Sequence, residues 1–160
     1  PSMADFQDHI TTAFPEVRLK RFLEMRGADG GAWGNICALP AFWTGLLYDA
    51  EALAAATKLA EGLTANDVME ARLSVSRDGL RGQLGGRDIH KLAEELVKLS
   101  SDGLRRRARI DDGGNDETGY LAPLREVVSS GETPADRLVR LYDTLWGGDL
   151  QQIFNAEQYQ

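Results

Sequence analysis

The chain has 160 residues, 42% of them apolar and 27% charged, a composition that fits one ordinary globular domain and excludes disordered, collagen-like and coiled-coil extremes. Acidic residues outnumber basic ones 25 to 18, giving a net charge of -7, which argues against general nucleic-acid binding, because that needs a basic surface to displace counterions, and leaves room for a small basic site. A single cysteine, Cys37, rules out a disulfide framework within the chain and a multi-cysteine zinc site, and no apolar run reaches the ~18 residues of a membrane-spanning helix.

The first residues, Pro-Ser-Met-Ala-Asp, lack the basic start and apolar stretch of a secretory signal, so a cytoplasmic protein is expected. The chain does not begin with Met, which fits a removed initiator or a piece of something longer. Ser2 followed by Asp5 fits a helix start and predicts a helix from Met3 to about Ala13, ended by Pro15. From Glu16 to Arg26 one strand is expected, with a helix as the competitor. Side chains alternate along a strand, so Val17, Leu19, Leu23 and Met25 share one face, which Arg21 spoils. Arg18, Lys20, Phe22, Glu24 and Arg26 share the other.

Gly27, Gly30 and Gly31 mark a loop, and the small, apolar and aromatic residues from Gly34 to Tyr48 predict a buried helix kinked or started at Pro40. Helical spacing recurs through Leu53, Ala56, Leu59, Ala60 and Leu63, and again through Ile89, Leu92, Ala93, Leu96, Leu99 and Leu104. Thr64 with Asp67 opens a helix near Ala65 that fades where Ala71, Leu73 and Val75 alternate, and Gly79, Gly82, Gly85 and Gly86 then read as a loop. Another helix runs through Leu121, Leu124, Val127 and Val128 to Gly131. Thr133-Pro134 starts the last helix, and Gly147-Gly148 ends it. The fold class is therefore mainly α: a helical bundle with one N-terminal β-strand. A lone strand cannot satisfy its own backbone groups, so its partners are expected outside these residues, and an exposed edge would favour a homo-oligomer.

The strongest constellation is Leu23-Glu24-Met25-Arg26-Gly27-Ala28-Asp29-Gly30-Gly31. Glu24 and Arg26 stand two residues apart on one strand face, where a carboxylate oxygen can hold magnesium and a guanidinium can hold a phosphate through paired hydrogen bonds. The glycines let backbone approach a ligand closely. Together these parts suit a metal–nucleotide site; the plain alternative is a solvated, salt-bridged strand face followed by a turn.

Other candidates have plainer readings. Cys37, within "NICALPAF", reads as a small buried residue, and His9 and His90 as solvated. Arg105-Arg106-Arg107 with Arg109 reads as a solvated helix end, neutralised by Asp111, Asp112, Asp116 and Glu117, with phosphate binding or a subunit contact as the alternative. Trp33, beside the glycines, is the tryptophan best placed to touch a ligand.

The segment "LEMRGADGG" with "CALPAFWTGLLYD", and downstream "LAPLREVVSSGETPADRL" with "LYDTLWGG", resembles the C-terminal part of the glutamate–cysteine ligases of plants and proteobacteria. The likeness covers about Met3 to Phe154 and weakens between Glu51 and Gly86. Ala32 stands where that family usually has proline, and Gly34-Asn35 where it often has a basic pair.

The resemblance implies the C-terminal portion of a glutamine-synthetase-like ligase fold, residues 1–160 being one domain or fragment with a strand and glycine loop at about 16–34 and a helical remainder at 35–150. It implies ATP and magnesium as cofactors, glutamate and cysteine as substrates, and the remainder of the ligase chain as partner, with no nucleic acid and no membrane. Glu24 would be the metal ligand, Arg26 the phosphate-clamping catalytic residue, and Gly30, Gly31 and Trp33 the nucleotide contacts. Asp29 would be a lesser candidate for fixing the loop. The reading from another class is a non-catalytic helical interaction module that docks on a sheet-bearing partner.

Overall fold

The computed structural model describes residues 2–12, 14–28 and 30–156. The chain divides into two compact units, Pro1–Gly30 and Gly31–Gln160.

In the first unit, α1 spans Met3–Thr11. Its start is a capping box: the Ser2 hydroxyl accepts from the Asp5 N–H while Asp5 accepts from the Ser2 N–H. The expected single strand is two. β1 (Val17–Leu19) and β2 (Leu23–Met25) form an antiparallel hairpin in the register Val17↔Met25, Arg18↔Glu24, Leu19↔Leu23. Arg21, which broke the apolar alternation, lies between the strands where the chain reverses, and the Lys20 N–H donates to the Phe22 carbonyl at 2.9 Å. The strand therefore finds its first partner inside this unit. The described residues of the unit include no buried side chain, and Leu19 is 79% exposed. A two-stranded hairpin with so little cover is marginal by itself.

The second unit is helical. α2 spans Trp33–Leu47, α3 Ala50–Ala60, α4 Ala65–Asp78 and α5 Ile89–Arg107. A 3₁₀ turn at Glu117–Leu121 leads into α6 (Ala122–Ser130); α7 (Pro134–Asp143) and α8 (Gln152–Ala156) follow. α2 continues through Pro40, which removes the donor for the Ile36 carbonyl; both residues are exposed, so water can reach the freed oxygen. α4 does not fade at Val75. Its capping box of Thr64 and Asp67 starts it and Gly79, at φ +57°, ends it. The expected glycine loop after it contains a second hairpin, β3 (Gln83–Leu84) with β4 (Arg87–Asp88). Gly85 and Gly86 both have positive φ, as a two-residue type I′ turn requires.

The core sits where α2 crosses α5 beside the Glu117–Leu121 turn: Ala41, Leu104 and Leu121 are buried, and Phe42 and Leu124 pack against them. The two helices approach through glycines. A Cβ on Gly103 would stand 2.9 Å from the Gly45 carbonyl carbon, and one on Gly45 would stand 2.8 Å from the Ser100 carbonyl carbon. At this crossing the fully buried Ser100 hydroxyl donates to the Phe42 carbonyl at 2.9 Å. The domain is thus mainly helical with two short N-terminal strands.

Candidate functional site

The hairpin register decides which side chains meet. Arg18 and Glu24 are direct cross-strand partners, so they share a face, and the Arg18 Nε donates to the Glu24 Oε2 at 2.7 Å. This hydrogen bond, aided by the nearby charges of Lys20 and Arg26, holds the Glu24 carboxyl below the usual carboxylate range. Both side chains are about one-third exposed, so the pair contributes little to stability and much to where the carboxylate points. Glu24 is therefore ionised and tethered through one oxygen.

Arg26 follows β2 directly. Its N–H donates to the Glu16 carbonyl at 2.8 Å, which continues the ladder one step beyond the named strands. Two residues after Glu24 in this extended run, Arg26 falls on the same face. Its guanidinium carbon lies 5.3 Å from the centroid of the Phe14 ring. The Nη1 of Arg26 is buried, and among the described residues it has no hydrogen-bond partner. An arginine with an unspent, desolvated donor is suited to an incoming anion. A metal fits less completely. One oxygen of Glu24 is committed to Arg18, and among the described residues no group of three or more His, Cys, Asp or Glu side chains is placed to hold an ion. A cation at Glu24 would need oxygen donors from phosphate and from polypeptide beyond these residues.

Gly30 closes the first unit, whereas Gly31 and Trp33 open the second. A Cβ on Gly31 would come 3.2 Å from the Asn35 Cβ, so the small residue there is accounted for by its own turn into α2. Trp33 is 67% exposed in the first turn of α2. Asp29 lies outside the described residues.

The remaining candidates resolve into structural roles. Each member of the Arg105–Arg107 run is engaged: Arg105 with Asp102, Arg106 with Asp49 and Glu51, Arg107 with Glu117. Of the acidic group expected to neutralise the run, Glu117 pairs with Arg107 and Asp116 feels the charge of Arg105; the other ion-pair partners come from α3, its cap and α5 itself. His90 is half-buried rather than solvated, with Nε2 2.5 Å from the Val128 carbonyl, which ties the start of α5 to the end of α6. Cys37 is half-buried on α2. A polar recess of about 460 Å³ beside α4 contains Arg77 and Arg81, but these are paired with Asp78 and Asp136. Among the described residues no helix is long and apolar enough to cross a membrane.

Phe14 is the residue that sequence reasoning missed. No sequence pattern marked it, because a bend at Glu16 separates it from β1.

A charged strand face ahead of a helical domain defines a class of architecture, and comparison with known proteins narrows it. The model of the family "Glutamate-cysteine ligase family 2 (GCS2)" matches residues 2–156. The chain belongs to that family. It is 45% identical over 159 residues to the chloroplastic glutamate–cysteine ligase A of Oryza sativa subsp. indica, covering 99% of this chain and 31% of that protein. The chloroplastic glutamate–cysteine ligases of Nicotiana tabacum and Arabidopsis thaliana are 43% and 44% identical over the same length, with 29% of each covered. The chain thus spans about 30% of the length of these relatives. The expectation of a cytoplasmic protein is overturned by these relatives, which are chloroplastic.

Proposed function

We propose that this chain is the C-terminal part of an ATP- and magnesium-dependent ligase that joins the γ-carboxyl of glutamate to the amine of cysteine. The observation that carries the reading is the placement, on one strand face, of the tethered carboxylate of Glu24 and of Arg26, whose buried Nη1 has no hydrogen-bond partner among the described residues. The glutamine-synthetase-like fold belongs to the same proposal, with the remainder of the ligase supplying further strands, most metal ligands and most substrate contacts. The uncovered hairpin supports this, because a unit with so little buried surface needs other polypeptide against it.

The chemistry assigns the roles. A carboxylate is a poor electrophile. Transfer of the γ-phosphoryl group of ATP to the glutamate γ-carboxylate forms a γ-glutamyl phosphate and releases ADP. The cysteine amine then attacks the acyl carbon, phosphate leaves, and the amine loses a proton. Arg26 binds the oxygens of the phosphoryl group as their charge redistributes, a task for which a fixed cation in a dry setting is effective. Glu24, its carboxyl held low first by its hydrogen bond from Arg18, would serve as one oxygen ligand of the magnesium that accompanies the nucleotide. Gly30, Gly31 and Trp33 are each proposed as nucleotide contacts. The 160-residue chain alone, lacking most of these partners, does not turn over substrate.

Kinetics of the complete ligase carrying this segment test the reading. Arg26→Gln is expected to lower kcat by about 10²–10³-fold, the range for losing one electrostatic donor to a reacting group. Glu24→Gln is expected to raise the magnesium concentration needed for half-maximal rate. Wild-type kinetics in both variants would remove the face from the active site.

A further inference from the structure

Beyond the two charged residues, the hairpin shows how one of them is held. The register of β1 and β2 fixes Glu16 opposite Arg26, and the Glu16 carbonyl accepts the Arg26 N–H. Phe14 precedes Glu16 by two residues, and Pro15 between them favours extended backbone at Phe14. The chain bends at Glu16, just before β1, and the Phe14 ring comes to lie beside Arg26. The 5.3 Å between the guanidinium carbon and the ring centroid is the result. The ring itself is 76% exposed, so it supports no core.

The second unit offers a comparison. Arg107 lies 5.7 Å from the Tyr48 ring, but its Nε is already committed to Glu117. Arg26 has the aromatic contact, and among the described residues its buried Nη1 has no hydrogen-bond partner. An arginine stacked on a ring retains its in-plane donors, because the ring engages the flat face and leaves the fork free. A guanidinium carbon 5.3 Å from the ring centroid is within cation–π range, a contact that uses none of the N–H donors.

We propose that Phe14 is a positioning residue for Arg26, a platform that sets the guanidinium plane for paired hydrogen bonds to a nucleotide phosphate. This rests on the reading of Arg26 as the phosphate clamp. The platform acts through orientation, so its loss affects ligands that carry the outer phosphates and spares those that lack them.

The test is calorimetric titration of the complete ligase with magnesium and the non-hydrolysable analogue AMP-PNP, and separately with adenosine. Arg26→Gln should weaken AMP-PNP by about tenfold or more and leave adenosine unchanged. Phe14→Ala and Phe14→Leu should each weaken AMP-PNP by about two- to fivefold, the scale of an exposed cation–π contact, and leave adenosine unchanged. Phe14→Trp, with the strongest π-face, should bind AMP-PNP at least as tightly as the wild type. If Arg26→Gln weakens AMP-PNP while Phe14→Ala or Phe14→Leu binds it like the wild type, the platform is wrong and the clamp stands. If a Phe14 variant weakens both ligands equally, Phe14 is merely structural and the proposal fails. If Arg26→Gln weakens neither, the clamp itself is wrong and the platform falls with it.

Discussion

Substitution of Gly103 by alanine probes the contact on which the helical unit depends. Alanine is the better helix former by about 0.8–1 kcal/mol, so propensity alone predicts a stabilised variant. The crossing predicts the reverse. The new Cβ would stand 2.9 Å from the Gly45 carbonyl carbon and 3.2 Å from the Asp49 Cβ, and the first neighbour is backbone that cannot swing aside. Carbon atoms rest at about 3.5–4.0 Å and the Gly45 carbonyl oxygen lies closer still to the new Cβ, so α2 and α5 must part by at least about 1 Å. That separation stretches the 2.9 Å bond from the buried Ser100 hydroxyl to the Phe42 carbonyl and loosens Leu104 against Leu121. Overpacking of this kind costs about 1–3 kcal/mol, and leaving a buried hydroxyl poorly paired adds about 1–3 kcal/mol. After the helix gain is set against these, a net destabilisation of about 1–5 kcal/mol is expected, or a fall in Tm of roughly 2–20 °C. Thermal and urea melts followed by circular dichroism at 222 nm measure it. Gly119→Ala is the control, because a Cβ there meets nothing within 4 Å. A Gly103→Ala protein as stable as the wild type would refute the close crossing.

Two further outcomes follow from local chemistry. The Asp49 carboxyl is pulled down to about 2, first by its hydrogen bond from Arg106 and then by the Ala52 N–H. Its folded value lies below its unfolded one, so the stabilisation it brings is complete above the ordinary carboxylate value and disappears as pH falls through about 2. Urea midpoints measured downward from about pH 5 should therefore drop more steeply for the wild type than for Asp49→Asn, and identical slopes would break the link. Thr133→Ala removes the hydroxyl that accepts from the Asp136 N–H at the start of α7, a loss of about 1 kcal/mol. Because α7 contains no buried residue, the effect should be local: faster hydrogen exchange within Pro134–Asp143, with the exchange of α5 unchanged.

Much of the local structure is written in neighbouring residues. Ser2 with Asp5 and Thr64 with Asp67 mark helix starts because each side chain reaches an N–H only three residues away. Pro134 in the first turn and Gly131 at φ +70° act through their own backbone preferences. The acid and guanidinium of Glu24 and Arg26 were legible for the same reason, since two residues along a strand return to one face. The reversal at Lys20–Phe22 was less so. Arg21 interrupted the apolar alternation, but a single interruption fits a flawed strand as well as a turn. The Gly85-Gly86 hairpin signal was present and was outweighed by the neighbouring glycines.

Sequence by itself determined the helical character of the domain, its caps and the charged strand face, all from interactions within a few residues. Tertiary structure alone decided which distant groups meet. It brought Arg106 to Asp49 across 57 residues and Ser100 to Phe42 across 58, and it set Gly45 against Gly103. Hairpin pairing likewise committed one oxygen of Glu24 to Arg18, and the bend at Glu16 leaves Phe14 beside Arg26. The physical reason is that a local pattern specifies which face a residue occupies, whereas the occupant opposite is set by register and by how closely two backbones can approach.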